Sequence, residues 1–349
     1  MKKTTIFFLA IGILAMGVGA VGSAVFYQRA KTSMVEVKNE EYTVKNTDKI
    51  KELHLKLSGD TDYVIESSAT NKIEMEARSS VTEPLKGSLD VNESGDKLTA
   101  TVNGSTKNKG TDHFQFRMFH IESSHVTLTV PSDIDRVVVD GDATGSVYLS
   151  NFTAKELDVD LDHSEISLAG STAEKVNLTS KSGDIDIFGE ATIDELTIKN
   201  DHGKIDAYEL SGNTIDLTTS TGDIYLTNIK STTTKAESKS GEFHIQNLRG
   251  EADLSGKNGS IYLYGEEWPK ELKAIMEHGD IDIELYEEVE NISIKAQSDL
   301  GDVSIFDTEN NTYSRGKDGS KFELKTATGD IYVTGVGAYP EDYMDDDWE

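Results

Sequence analysis

A glycine recurs through the second half of the chain at intervals of about twenty residues, and this period constrains the fold more than any other feature. The repeat positions are Gly145, Ser164, Gly183, Gly203, Gly222, Gly241, Gly259, Gly279, Gly301 and Gly329. Successive intervals are 19, 19, 20, 19, 19, 18, 20, 22 and 28 residues. A period of this size is typical of a solenoid, in which each repeat forms one coil and neighbouring coils stack.

Each repeat contains two short segments in which apolar and polar residues alternate. In one repeat, Ile185 and Ile187 follow the glycine, and Leu196 and Ile198 precede the next glycine. Alternation with a period of two predicts strands that bury one face, whereas a helix would place apolar residues three and four positions apart. One unit cannot bury its own apolar face, so we expect equivalent strands to stack. The predicted internal ladder consists of Ile185, Ile205, Ile224, Phe243, Ile261 and Ile281.

These patterns predict an all-β fold, specifically a right-handed parallel β-solenoid, because parallel crossovers are right-handed in nearly all sheets. Each glycine is expected to turn a corner with a positive φ angle, which glycine adopts without steric penalty. One more apolar residue per coil is expected to fill its third side, as in Phe152, Leu210, Ile229 and Leu248. An antiparallel sandwich is the alternative, and it predicts hairpin turns and less regular spacing.

An uncharged segment, 4–27, follows Lys2 and Lys3 at the start of the chain. A membrane-spanning helix needs about twenty residues, whereas the apolar part of a signal peptide has about 7–15. We therefore predict a transmembrane anchor, with both lysines on the cytoplasmic side and an ectodomain outside the cell membrane. A removed signal peptide, cleaved near 18–20 (VGA), is the alternative.

Three further regions follow the predicted anchor. Residues 34–130 alternate without a regular period, which we interpret as an irregular β cap region or a small β domain that leads into the coils. Residues 131–335 contain the repeats, and a loop at 310–318 is expected to lengthen the last interval. Residues 336–349 form an acidic tail, interpreted either as a solubilising segment or as a peptide that docks on a basic partner.

The 349-residue chain has a formal net charge of −29 and contains no cysteine. The charge argues against nucleic acid as a partner, because phosphates would be repelled. The absence of cysteine excludes disulfides, thiolate catalysis and cysteine-based zinc sites. No cofactor is predicted.

The outward positions between the apolar residues form the candidate binding surface. When coils stack at the spacing of strands, these positions make one column on the outside. The predicted column contains Asp186, Asp206, Tyr225, His244, Tyr262, Asp282 and Tyr332. Aspartates such as Asp184 also follow the glycines, and we predict that they accept hydrogen bonds from backbone N–H groups at the turn. Calcium binding is the alternative, but the calcium-binding nonapeptide motif is absent, and no metal site is predicted.

We do not predict an enzyme, since the sequence contains no P-loop, GxSxG or HExxH motif. Some parallel β-helices cleave polysaccharides, and glycosidases need two carboxyl groups about 5–10 Å apart. Asp184 with Asp186, or Asp280 with Asp282, would meet that distance by chance in any acidic ladder. A polysaccharide-active enzyme is therefore the alternative function, and a purely structural spacer is a third interpretation.

The segment 126–131 (VTLTVP), followed by serial coils, resembles the bacterial putative-adhesin family, a domain of unknown function that includes LiaG-like envelope proteins. The best-matching coils are 181–185 (KSGDI), 220–224 (STGDI) and 328–331 (TGDI). The similarity covers roughly residues 45–335. Ser164 and Lys204 replace the glycine and the aspartate in two coils, which indicates a structural motif rather than an invariant site. The resemblance implies a membrane-anchored envelope protein that acts as an adhesin-like binding scaffold or an envelope-stress accessory. Its expected partner is an envelope protein or a cell-wall polymer.

Overall fold

The structure is a computed structural model that describes residues 35–80, 85–106, 124–287 and 289–336. The predicted membrane anchor lies outside the described residues, as does the predicted acidic tail beyond Val336. Within the described ranges, no helix has both the length and the apolar character that a membrane span requires.

The described chain is all-β, with twenty-seven strands and a short 3₁₀ turn at Thr47–Lys49. The strands are β1 (Val35–Thr43), β2 (Glu52–Gly59), β3 (Asp62–Ser68), β4 (Lys72–Ser80), β5 (Leu85–Ser94), β6 (Lys97–Thr106), β7 (His125–Pro131), β8 (Arg136–Ala143), β9 (Val147–Ser150), β10 (Thr153–Leu161), β11 (Ile166–Ala169), β12 (Thr172–Ser182), β13 (Ile185–Phe188), β14 (Ala191–His202), β15 (Ile205–Tyr208), β16 (Leu210–Ser211), β17 (Thr214–Thr221), β18 (Ile224–Ser240), β19 (Phe243–Asn258), β20 (Ile261–Gly265), β21 (Glu271–His278), β22 (Ile281–Leu285), β23 (Ile292–Leu300), β24 (Val303–Ile305), β25 (Thr312–Arg315), β26 (Ser320–Thr328) and β27 (Ile331–Gly335).

Equivalent strands of successive repeats pair in parallel, as the solenoid prediction requires. Strands that follow the glycine form one ladder, called here the post-glycine ladder: β9, β11, β13, β15, the start of β18, the start of β19, β20, β22, β27 and β24. Strands that precede the glycine form a pre-glycine ladder: β8, β10, β12, β14, β17, the ends of β18 and β19, β21, β26 and β23. The parallel pairing excludes the antiparallel sandwich for these coils. The right-handed sense of the coil stays a prediction.

The apolar core runs along the inside of the stack. All six residues of the predicted internal ladder, from Ile185 to Ile281, are fully buried, and each pairs with its counterpart in the next coil. The four residues predicted to fill the third side are also buried. Full burial of one such side chain contributes roughly 1.5–3 kcal/mol, so the continuous ladder supplies much of the stability of the stack.

Glycine is needed at the corner because neighbouring coils approach each other closely there. Gly203 has a φ of +138°, and a Cβ atom at this position would overlap the carbonyl oxygen of Gly183 in the adjacent coil. Seven of the nine repeat glycines have the predicted positive φ, whereas Gly145 and Gly241 do not. The close approach, which these two share, is an additional reason for glycine. At Ser164, which replaces a glycine, the buried hydroxyl donates a hydrogen bond to the carbonyl oxygen of Ala143 at 2.8 Å.

A second corner, which the sequence patterns did not reveal, lies between the post-glycine strands and the third side. One residue per coil has a left-handed conformation there, with φ between 55° and 60° in Asn151, Glu190, Glu209, Asn228 and Asn247. Asparagine tolerates this conformation better than most residues. The Asn247 side chain also donates a hydrogen bond to the side-chain oxygen of Asn228 at 3.0 Å, which links adjacent coils.

The coils at the amino-terminal end do not stack in sequence order. Strand β2 lies between β6 and β8, and β3 lies between β7 and β9. The first coil of the chain is therefore the second in the stack. Because its strands pair directly with β8 and β9, the predicted boundary at residue 130 is not marked by a break in the sheets.

The carboxy-terminal end has a similar exchange. Strand β26 lies between β21 and β23, and β27 lies between β22 and β24, so the last coil of the chain inserts between the two before it. The simple loop predicted at 310–318 is wrong in part, since that segment contains β25, which pairs antiparallel with β23. The segment reverses the chain so that the last coil can enter the stack.

Antiparallel strands close the amino-terminal end: β5 pairs with β6, β4 pairs with β7, and β1 pairs with β4. Two side chains of β1 bind the backbone of β5: Lys38 donates to the carbonyl oxygen of Gly87 at 2.7 Å, and Glu40 accepts from the N–H of Leu89 at 2.7 Å. The hydrogen bond from Lys38 and that from Leu89 lower the pKa of Glu40. These contacts satisfy backbone groups of β5 that would otherwise be free to form hydrogen bonds with a strand of another chain.

Candidate binding surface

The seven residues predicted to form an outward column do lie in one column of the post-glycine ladder. Each is the cross-strand partner of the next, in the order Asp186, Asp206, Tyr225, His244, Tyr262, Asp282 and Tyr332. Because the last coil is inserted, Tyr332 follows Asp282 directly, and Ser304 comes after it. That this column binds a partner stays a prediction.

Three rings in the middle of the column stack on one another. The ring centroids of Tyr225 and His244 are 4.8 Å apart at an interplanar angle of 6°, and those of His244 and Tyr262 are 5.2 Å apart at 19°. This spacing is close to the distance between neighbouring strands, so the stack follows from the ladder itself. Glu242 lies 3.0 Å from Nε2 of His244. The result is a fixed aromatic ridge on an otherwise acidic face.

Lys204 neutralises the acidic start of the column. Its Nζ lies 3.1 Å from the carboxylates of both Asp186 and Asp206, and 6.0 Å from the ring centroid of Tyr225. Burial alone would lower the pKa of Lys204, but the hydrogen bonds to Asp206 and Asp186 outweigh it and raise the pKa. Lys204 is unusual in the sequence because most coils have an acidic residue at this position. Its bridging role, however, depends on the register between coils.

A second row of outward rings lies beside the column and was missed in the sequence. Phe188, Tyr208 and Tyr264 occupy the next outward position of their strands, and Tyr286 follows β22. Tyr208 is 43% exposed and Tyr286 is 48% exposed, and the rings of Tyr264 and Tyr286 are 6.4 Å apart. Alternation along each strand would have identified these positions, because they share the outer face with the predicted column.

The surface is recessed where β20, β22 and β27 meet. The depression has a volume of about 570 Å³. Its lining comprises Glu242, His244, Tyr262, Leu263, Tyr264, Asp282, Ile283, Glu284, Tyr286, Tyr332 and Thr334. Burial, together with the negative charges of Asp280, Glu284 and Asp330, raises the pKa of Asp282. Carboxylates and aromatic rings thus converge on one place.

The aspartates that follow the glycines have the structural role predicted for them. Asp184 Oδ1 accepts a hydrogen bond from the N–H of Lys204 at 2.8 Å, and Asp280 Oδ1 accepts one from the N–H of Asp330 at 2.8 Å. Each carboxylate therefore satisfies a backbone group of the adjacent coil rather than one in its own turn. In the described part of the chain, no group of three or more histidine, aspartate or glutamate side chains is arranged to hold a metal ion.

A model of the Toastrack DUF4097 family matches residues 50–334. The chain belongs to this family. The match confirms the resemblance to bacterial putative-adhesin domains of unknown function that the coil motifs indicated. No curated protein matches the chain.

Solved structures that match the chain include proteins described as putative adhesins. A putative adhesin from Bacteroides fragilis is 13% identical with a TM-score of 0.38, and the match covers 86% of this Toastrack chain and 97% of the other. A putative adhesin from Parabacteroides distasonis is 13% identical with a TM-score of 0.28, covering 86% and 96%. A putative lipid binding protein from Parabacteroides distasonis is 7% identical with a TM-score of 0.32, covering 86% and 97%.

Proposed function

We propose that this protein is a membrane-anchored binding scaffold of the bacterial cell envelope. Its partner, an envelope protein or a cell-wall polymer, would lie along the outer face of the post-glycine ladder. The observation that supports this proposal is the single register of Tyr225, Tyr262 and Tyr332 along the stack. A straight row of fixed rings suits an extended partner, because rigid aromatic side chains bind with little loss of conformational entropy.

The membrane anchor and the position outside the cytoplasm belong to the same proposal. The uncharged segment 4–27 supports an uncleaved anchor by its length. In intact cells, an externally added protease should digest the full chain, and the chain should remain with the membrane after a high-salt wash. Release of the chain by salt, or protection from protease, would contradict the anchored arrangement.

We infer binding rather than catalysis from the roles of the carboxylates. Asp184 and Asp280 each belong to one of the carboxyl pairs considered for glycoside cleavage, and both accept hydrogen bonds from backbone N–H groups. A carboxylate engaged with the backbone of the adjacent coil suits a structural acceptor better than a group that must exchange a proton with a substrate.

Retention of the full chain on isolated cell envelopes tests the binding function. The triple variant Tyr225→Ala, Tyr262→Ala and Tyr332→Ala should lose most of its retention while keeping its thermal midpoint within a few degrees. The matched control is Thr179→Ala, Thr197→Ala and Thr218→Ala, which changes three outward side chains of the pre-glycine ladder. Equal retention of both variants would exclude the tyrosine column as the binding surface.

A further inference from the structure

Two tyrosines and an aspartate form a slot within the depression, called here the tyrosine slot. Asp282 is the direct cross-strand partner of Tyr262 on one side and of Tyr332 on the other. With a strand spacing of about 4.8 Å, the two tyrosines are roughly 10 Å apart, and the aspartate lies between them. The slot thus has two aromatic walls and a carboxylate floor.

Both walls are held in place by neighbouring groups. The ring of Tyr262 is stacked on His244 on the side away from the slot, at 5.2 Å between centroids. The hydroxyl group of Tyr332 donates a hydrogen bond to Asp330 at 3.1 Å. Both rings also line the depression, so they are presented to a ligand from solvent. Fixed walls reduce the ordering cost of binding.

The charge around the slot is negative on every side. Glu242 and Glu284 line the depression together with Asp282, while Asp280 and Asp330 lie next to it. Among the described residues that line the depression, none is a lysine or an arginine. Carboxylates and ring faces both attract cations, and the attraction to a ring is greatest within about 6 Å of its centre.

We propose that the tyrosine slot binds the ammonium group of a lysine side chain on an extended segment of a partner protein. This inference rests on the proposed binding function and names the chemistry of one subsite. A separation of roughly 10 Å leaves about 5 Å between each ring and a group in the centre, which suits a compact ammonium with its methylene neighbours. A planar guanidinium stacks at about 3.5–4.0 Å and would contact only one wall.

The surrounding carboxylates also distinguish lysine from other envelope amines. Amines of phospholipid headgroups and of phosphate-linked polymers carry a phosphate a few ångströms from the nitrogen. That phosphate would face Glu242, Glu284 and Asp330, and like charges at such distances repel. A lysine side chain brings its positive charge without a nearby negative one.

The proposal is tested by titrating the full chain in detergent micelles with Nα-acetyl-lysine methylamide and measuring binding by saturation-transfer NMR. The solution contains about 0.15 M salt, which screens long-range electrostatic attraction. We expect binding that weakens about fivefold in Tyr262→Leu and in Tyr332→Leu, because each ring contributes one cation–π contact. The matched control is Tyr208→Leu, an exposed tyrosine of the same face outside the slot, which should bind as the unmodified chain does.

Three comparison ligands decide the assignment. The Nε-acetylated lysine analogue, which has no charge, should not bind, and the arginine analogue and phosphoethanolamine should bind more weakly than lysine. Equal binding of the acetylated analogue, or unchanged binding in both slot variants, would overturn the proposal. Tighter binding of phosphoethanolamine would overturn the choice of lysine. If the lysine analogue does not bind but the unmodified chain is still retained on envelopes, the proposed function stands and only the lysine assignment fails. Loss of retention in the triple tyrosine variant tests the whole column rather than the slot.

Discussion

Glu323 is the direct cross-strand neighbour of Lys273, although the two coils that contain them are not consecutive in the sequence. On its other side, Glu323 faces Lys295. Charges alternate along this row of the pre-glycine ladder, through Asp216, Lys235, Asp253, Lys273, Glu323 and Lys295. If the coils stacked in sequence order, Lys273 would face Lys295 directly, and like charges in such positions destabilise a sheet.

The amino-terminal exchange of coils has the same electrostatic consequence. Glu52 lies between Lys97 and Arg136 in the stack, with 2.8 Å between Lys97 Nζ and Glu52 Oε1. The hydrogen bond from Lys97 is the main reason that the pKa of Glu52 is lowered. In sequence order, Lys97 and Arg136 would be neighbours. At both ends, therefore, the non-sequential order separates two positive charges with a glutamate.

Reversal of the charge of Glu323, which lies between two lysines, should destabilise the carboxy-terminal coils. Glu323→Lys places three lysines in a row, and we expect a loss of about 1–2 kcal/mol at low salt, because exposed pairs contribute only about 0.2–1 kcal/mol each. Thermal melting measures the loss, which should shrink in 1 M salt. Glu309→Lys makes the same charge change at an exposed position outside the row and serves as control. Part of the stability should return when Lys295→Glu is added, because Lys295 faces the uncharged Thr312 on its other side, whereas Lys273 must stay to pair with Asp253. A lack of rescue would contradict the pairing.

The corner glycine should tolerate substitution much less than a glycine in open space. A Cβ atom on Gly203 would overlap the carbonyl oxygen of Gly183, whereas one on Gly95 meets nothing within 4 Å, although both glycines have positive φ. Gly95→Ala should therefore cost about 1 kcal/mol from backbone strain alone. Gly203→Ala should cost several kcal/mol more, because adjacent coils must move apart. Urea unfolding of the two variants compares them, and equal losses would show that close packing of coils does not select glycine.

Much of this fold follows from local repetition, and most of what was missed depends on contacts between distant strands. The second row of rings at Phe188, Tyr208 and Tyr264 is the exception, because local alternation was enough to identify it. The glycine period and the alternation around it predicted the buried ladder and the outward column from Asp186 to Tyr332, because every coil repeats the same short pattern. The exchange of end coils depends on which distant strands pair, and a period carries no information about that. The charges of Lys273, Glu323 and Lys295 do indicate the exchange, because sequence order would place the two lysines side by side. The sequence also did not predict that Lys204 bridges two aspartates, because that contact depends on the register between coils.

Tyr63 should make the protein sensitive to alkaline pH. Its side chain is fully buried and its hydroxyl donates to the carbonyl oxygen of Ser58 at 2.6 Å. Burial is the main reason that the pKa of Tyr63 is raised from 10.0 to about 12. Tyr63 loses its proton at a lower pH in the unfolded chain than in the folded chain. The stability that its buried neutral phenol contributes is therefore complete below pH 10 and is lost as the pH rises towards 12.

We expect a loss of about 2 kcal/mol between pH 9 and pH 11.5 from this residue. Tyr63→Phe should be about 1 kcal/mol less stable at pH 7, since it lacks the hydrogen bond, but should decline less steeply above pH 10. Thermal melting across this pH range gives the comparison, with Tyr208→Phe as a control that keeps the buried phenol. Parallel pH profiles of Tyr63→Phe and the unmodified chain would contradict the assignment.

Binding of a lysine side chain in the tyrosine slot should depend on the charge of Asp282. Burial and the neighbouring charges of Asp280, Glu284 and Asp330 raise the pKa of Asp282, so its carboxylate takes up a proton at a higher pH than an ordinary aspartate. A neutral carboxyl group attracts an ammonium weakly, and affinity should therefore fall as the pH is lowered from 7 towards 4. Glu242 and His244 of the coil beyond Tyr262, together with the surrounding acids, are the same in all variants, so Asp282→Asn isolates the central group. This variant should bind several-fold more weakly at pH 7 and lose less affinity on acidification. If its pH profile matched that of the unmodified chain in the NMR titration, the carboxylate floor would have no part in holding the cation.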